Sequence, residues 1–165
     1  MTLFSTPQFI IEQFTKDDAE VFYLLNSNEA VMQFIRPVKN RQECDEFLQE
    51  NIELYNADNP VGRYAVIEKK AGNCIGIFSF LYLPIEDSCH IGYALMPNFW
   101  GKGIAQELIK FGTAYFFATT DKQVLFAITQ PENTASQNVL LKNGFFFKST
   151  ARENNKQIDT FYINK

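Results

Sequence analysis

The chain has 165 residues, 46% hydrophobic and 21% charged, a folded composition long enough to bury a core in one domain. Its 19 acidic against 15 basic residues give a net charge of -4, which excludes nucleic acid held by bulk charge. No apolar run reaches the ~20 residues that span a bilayer, so no membrane partner is expected. Met1 to Gln8 also lacks the basic-then-apolar pattern of a secretory signal.

The three cysteines, Cys44, Cys74 and Cys89, are widely spaced, and His90 is the lone histidine. No Cys-x-x-Cys pair exists, so no metal is expected. The thiols read as small buried hydrophobes in a reducing compartment, and the cytoplasm is the expected location. Seventeen Phe and seven Tyr imply an aromatic core.

In chain order, residues 8–14 read as a first strand. Thr15 reads as a helix N-cap with Asp18 three residues on, opening a helix to about Asn26 that buries Val21, Phe22, Leu24 and Leu25. A short turn at 29–34 stops before Pro37. A helix over 41–55 has apolar residues Cys44, Phe47, Leu48 and Tyr55 at helical spacing. Strands follow over 63–68, 74–83 and 88–96, with Gly76 marking a bulge or a close backbone approach. A helix over 102–118 presents Ile104, Leu108, Phe111 and Tyr115 on one face. A buried strand at 124–129 leads to a helix at 133–143, which Gly144 closes as a left-handed cap. Residues 145–149 and 158–163 close the chain as a hairpin, with Phe145, Phe146 and Phe147 read as buried.

The run of adjacent strands implies antiparallel hairpins. The strand–helix–strand unit over 88–129 needs a right-handed crossover and so a parallel pair. The expected fold is α/β (α+β mixed): one domain over 1–165, with about seven strands in a mostly antiparallel mixed sheet and helices on both faces.

The informative stretch is Leu95-Met96-Pro97-Asn98-Phe99-Trp100-Gly101-Lys102-Gly103-Ile104-Ala105, which leaves a strand and opens a helix. Two glycines one residue apart let the backbone turn tightly and approach a ligand. The first amides of the helix lack intrahelical partners and carry partial positive charge, which suits a phosphate or pyrophosphate, and Lys102 adds charge. The stretch lacks the Lys-Ser or Lys-Thr ending of a Walker loop and the third glycine of the dinucleotide fingerprint. Trp100 reads as a buried aromatic that anchors the loop.

Pro97, Trp100, Gly101, Lys102, Gly103, Ile104 and Ala105 together resemble the acyl-CoA pyrophosphate loop of the GNAT N-acetyltransferase superfamily. The nearest branch is that of the ribosomal-protein N-terminal acetyltransferases. The likeness covers nearly the whole chain: Thr6-Pro7-Gln8-Phe9, Thr15 to Ala19, Asn28 to Ile35 with Pro37, His90-Ile91-Gly92-Tyr93, and Asn133 to Ser136 ending in Lys142-Asn143-Gly144-Phe145. It departs at Asn98, where the family usually has Gln or Arg, and at Leu140, where many members have Tyr.

The resemblance implies acetyl transfer from acetyl-CoA, as co-substrate, directly to a primary amine on a protein N-terminus or small molecule. An idle acyl-CoA-binding module on the same fold is the alternative. It implies that the strand over 88–96 splays from its parallel neighbour and that the pantetheine arm lies in the gap. Leu95 and Met96 would contact that arm, Asn133 would bond it from the other wall, and Gly101, Lys102, Gly103, Ile104 and Ala105 would hold the pyrophosphate. Asn98 is shorter than the family's residue, and the loss of binding there is expected to be modest because backbone amides do most of the work. His90, with an ordinary pKa of about 6.5, is the candidate base, with Glu86 as backup, and strand alternation places His90 and Gly92 on one face. Ser136 is the candidate donor to the leaving thiolate. The acceptor wall is expected within residues 26–59, which offer Phe34, Arg36, Arg41, Glu43, Glu50 and Glu53. Arg36 either meets a substrate carboxylate or lies in solvent, and solvent is expected. The acidic surface suits a cationic amine.

Overall fold

The computed structural model describes residues 1–153 and 155–165. Eight strands form one sheet in the order β1-β2-β3-β4-β5-β6-β8-β7. They are β1 (Thr2–Ser5), β2 (Phe9–Gln13), β3 (Gly62–Glu68), β4 (Cys74–Leu83), β5 (Ser88–Leu95), β6 (Val124–Thr129), β7 (Phe146–Glu153) and β8 (Lys156–Asn164). Every neighbouring pair is antiparallel except β5 and β6, which run parallel across the helical crossover. The mixed sheet agrees with expectation, but it has one strand more.

The additional strand is β1. Its apolar residues Leu3 and Phe4 are adjacent, so it has no period of two to reveal it. What holds it is tertiary: Phe4 stacks on Tyr115 at 5.3 Å and meets Phe78 edge-on at 5.2 Å. The strand over 88–96, fourth in the sequence reading, is therefore β5.

Alternation along the strands feeds two cores. On one face, α4 (Ile104–Thr119) and α5 (Thr134–Lys142) pack on Phe78, Phe80, Ile91, Leu95 and Leu125. On the other, α1 (Ala19–Asn26), α2 (Glu29–Met32) and α3 (Arg41–Leu54) pack on Phe14, Ala65, Ile77 and Ala94.

Local signals explain the helix ends. Thr15 and Asp18 form the expected capping box, but it opens a single 3-10 turn before α1 begins at Ala19. α3 starts in a second box, Asn40 with Glu43. α5 ends at Gly144 (φ 84°), with Gly144 N–H donating to the Leu141 carbonyl and Phe145 N–H to Leu140. That pairing is a Schellman motif, and it turns Phe145 into the core.

Three burial expectations are corrected. Leu24 is 48% exposed, because Phe22 and Leu25 already fill the inner stripe of α1. Phe146 and Phe147 are 61% and 53% exposed, because β7 is the edge strand and only Phe145 precedes it into the core. In α4 the buried stripe is Ile104, Leu108, Ile109, Gly112 and Phe116, without Phe111. Gly112 sets that rotation: a Cβ there would lie 2.6 Å from Phe78 Cζ, so only glycine admits this helix–sheet approach. Gly76 marks both a bulge and a close approach. The β3–β4 register shifts beside it, and a Cβ would meet the Ala94 carbonyl oxygen at 2.3 Å. Cys44 and Cys89 are buried thiols, while Cys74 is half-buried, and all three are free.

Candidate active site

β5 and β6 touch in register at one pair only, His90 with Phe126, and diverge beyond it. The Met96 amide donates to the Ile75 carbonyl at 2.9 Å, so the even-numbered residues of β5 pair with β4. Ile91, Tyr93 and Leu95 therefore turn backbone groups toward the gap. A cleft of about 590 Å³ occupies this splay. It is lined from the α1–α3 face by Met32, Phe34, Arg36 and Arg63, and from the α4–α5 face by Tyr93, Ile109, Asn133 and Ser136.

At the open end of β5 the chain makes a single turn over Pro97–Phe99 and enters the glycine loop. Gly101 and Gly103 have φ of 72° and 75°, and a Cβ at either would meet nothing within 4 Å. Glycine is needed there for its left-handed backbone, not for room. No side chain caps α4, whose N-cap is Gly103. Among the described residues, the amides from Gly101 to Gln106 donate no hydrogen bond, so they form a free, positively polarised cradle. Lys102 is exposed and stands over the Phe99 ring at 5.4 Å. Trp100 is a correction. It is 49% exposed, and it anchors the loop through its indole N–H, which donates to the Leu95 carbonyl at 2.7 Å.

His90 sits at the vertex of the splay and, with Gly92, on the α1–α3 face, as alternation predicts. Burial, then the nearby Arg63 charge, pushes its pKa down to about 4, so the imidazole is neutral at pH 7. Ser136 lies on the opposite side of the gap. Asn133 is the α5 N-cap, and its side-chain oxygen accepts from the Ser136 amide at 3.2 Å. The Tyr93 hydroxyl stands 3.5 Å from Ser136 Oγ, at the long limit of a hydrogen bond. Burial raises the Tyr93 pKa, so this phenol keeps its proton.

A family model described as "Acetyltransferase (GNAT) domain" matches residues 8–146. The chain belongs to this GNAT acetyltransferase family. A curated relative, the uncharacterized N-acetyltransferase YoaA of Bacillus subtilis, is 26% identical over 97% of this chain and 92% of its own. RimL, a ribosomal alpha-N-protein acetyltransferase solved with coenzyme A, superposes with a TM-score of 0.84 at 18% identity, covering 99% of this chain and 98% of its own. Spermidine N-acetyltransferase from Vibrio cholerae, solved with CoA and spermine, gives 0.79 at 21% identity, covering 95% of each chain. The protein is an acetyl-CoA-dependent acetyltransferase with the GNAT fold.

The GNAT chain's loop fits a CoA pyrophosphate: among the described residues six consecutive amides at a helix N-terminus donate no hydrogen bond, and a Cβ at Gly101 or Gly103 would meet open space. The sequence-named residues distribute unevenly around that cradle. Gly101, Lys102, Gly103, Ile104 and Ala105 offer amides, while the Ile104 side chain is buried in the core. Asn98 is exposed in the preceding turn. Leu95 offers an amide toward the gap, whereas the Met96 amide is spent on Ile75. Glu86 does not line the cleft. It pairs with Lys148. Arg41 likewise pairs with Glu20 and Asp45, and Glu43 caps α3.

Sequence reasoning missed Tyr93, Arg63 and the buried state of Arg36. Tyr93 was legible by alternation, being one residue past Gly92 and on the Ser136 side. Arg63 was legible as a charge near the start of a strand whose next residues, Tyr64 to Ile67, are apolar or aromatic. Arg36 was not, because its burial depends on Phe47 of α3, whose ring its guanidinium covers at 4.7 Å.

Proposed function

We propose that residues 1–165 act as one N-acetyltransferase domain that passes the acetyl group of acetyl-CoA directly to a primary amine, both substrates sharing the cleft. The observation that carries this reading is the cleft at the β5–β6 splay, lined from both faces of the sheet, with the free amides at the start of α4 following the end of β5 by one turn. The gap is open to both faces of the sheet, so an amine and a thioester can meet in it from opposite sides. RimL and the spermidine enzyme are both named for acetylating an amine nitrogen, which supports the acceptor class.

Bound acetyl-CoA supplies a thioester carbonyl activated toward nitrogen. In the transfer a C–N bond forms and the C–S bond breaks. One proton leaves the amine and one is taken up by the departing sulfur. His90 is neutral, so its free ring nitrogen accepts a hydrogen bond from the amine and passes the proton outward through water. The amides of Tyr93 and Leu95 face the gap and meet the charge that builds on the carbonyl oxygen. Ser136, beside the Tyr93 hydroxyl, donates to the sulfur.

Thermal unfolding with acetyl-CoA, CoA, ATP and NAD tests the reading. At about 100 times the dissociation constant a native-state ligand adds roughly 2.7 kcal/mol, which for this size raises Tm by roughly 5–10 °C. A rise with acetyl-CoA and CoA alone, followed by amine-dependent release of free thiol, is the expected outcome. No rise at high acetyl-CoA overturns it, and unchanged turnover in Ser136→Ala removes that residue from the mechanism.

A further inference from the structure

Two arginines line the acceptor side of the cleft, and among the described residues neither has a carboxylate partner. The Arg36 and Arg63 guanidiniums stand 4.7 and 4.6 Å from the centroid of one ring, Phe47, and Lys39 Nζ is 5.1 Å from the same ring. The ion pairs among the described residues all lie elsewhere, on Arg41, Lys122 and Lys148. Among the described residues Arg36 bonds the Asn26 side-chain oxygen alone, and its Nε is buried without a partner. The Arg63 guanidinium donates no side-chain hydrogen bond among the described residues, although its side chain lines the cleft. Glu50 attracts Arg63 without forming an ion pair.

Two cations against one ring with no carboxylate partner among the described residues are costly, and each lowers the proton affinity around it. Burial and mutual repulsion depress the Arg36 pKa, and the Arg63 charge depresses that of His90. A carboxylate relieves this arrangement, because a guanidinium fork matches its two oxygens. Stacking on Phe47 fixes both guanidiniums in advance.

Resting on the transfer reading above, we infer that the acceptor is a small amine that also carries a carboxylate, held by Arg36 and Arg63 while its nitrogen reaches His90. This reverses the expectation of a cationic acceptor. Net charge describes the outer surface, whereas the cleft wall facing the amine is locally positive.

The test is an acceptor panel at fixed acetyl-CoA, read by thiol release. It pairs aminocarboxylates (glycine, 4-aminobutyrate, glutamate) with the matching amines that lack the carboxylate, and adds spermidine and free-N-terminus peptides. The expected result is a kcat/KM about 10–100-fold higher for the aminocarboxylates, as for a hydrogen bond to a charged group. In Arg63→Gln the ratio of kcat/KM for the aminocarboxylates to that for the carboxylate-free amines shrinks by about tenfold or more, whatever change in kcat/KM the two classes share through His90. This within-protein ratio is independent of any loss of folded enzyme. Equal or faster turnover of spermidine or the plain amines overturns the arginine assignment and leaves acetyl transfer standing. Turnover confined to peptides overturns the small-molecule class. Acetyl-CoA binding with no thiol release from any amine overturns the transfer reading itself.

A second readout needs no turnover. His90 is the lone histidine, so its imidazole resonances are unambiguous. The other titratable groups lining its cleft are Arg36, Arg63, Tyr93, Glu153 and Lys156. An N-acetylated amino acid, the product class, seated on the arginines raises the His90 pKa. A saturating product that leaves it unmoved counts against the site.

Discussion

His90 shows how far a side chain's chemistry departs from its ordinary value once packed. Its pKa falls to about 4, chiefly from burial and then from Arg63. Between pH 6.5 and 4 the unfolded chain binds a proton at this residue that the folded chain does not. Its contribution to stability is therefore complete above about pH 6.5 and is lost as pH falls toward 4, on the order of 3 kcal/mol. Urea unfolding between pH 7 and 4.5 should show a steeper loss in the wild type than in His90→Asn. Equal slopes would contradict the burial of the imidazole. For the same reason the pH–rate profile should lack an inflection near 6.5. Its rising limb should follow deprotonation of the amine. The histidine was evident in the sequence as a candidate base, but its titration was not, because Arg63 is 27 positions away in the chain.

At the scale of elements, the loop and α4 form the unit whose backbone was most legible. Backbone chemistry at Gly101 and Gly103 depends on φ alone, and two glycines before an amphipathic helix announce it locally. Gly103→Glu separates that role from folding. Its Cβ meets open space, so the substitution costs about 1–2 kcal/mol for a left-handed non-glycine backbone. The added carboxylate then stands where an anion would bind. The variant is expected to remain folded by circular dichroism and to lose its thermal shift with acetyl-CoA. A folded variant that keeps its acetyl-CoA affinity would contradict the loop assignment. By contrast, the exposed face of β7 was not legible: Phe145-Phe146-Phe147 reads as core, yet edge position leaves two of the three in solvent. α4 was placed correctly in the chain but rotated, because Gly112 lets it close on Phe78 through a contact between distant segments.

For the whole molecule, the order of elements sufficed for the hairpins and the parallel pair, but not for the place of β8, which lies between β6 and β7. Adjacent strands pair antiparallel, and a helical crossover forces β5 and β6 parallel. β1 was not legible either, and it matters to the assembly because it covers the edge of β2 and delivers Phe4 to Phe78 and Tyr115. Deleting residues 1–5 removes that aromatic contact and bares an edge strand. The loss should be about 2–4 kcal/mol, or roughly 5–15 °C in Tm by calorimetry, with increased aggregation. A truncated chain with unchanged Tm would mean that β1 contributes nothing to the core.

The sequence by itself determined the elements other than β1, the parallel pair and the glycine loop, because each follows from local backbone preference and hydrophobic period. Only the tertiary structure decided which side chains share the cleft. Arg36 and Arg63 meet across Phe47, Tyr93 meets Ser136 across the splay, and Glu86 is drawn away to Lys148. Those encounters join residues far apart in the chain. Their charges and pKa values depend on burial, which no local window of the sequence contains.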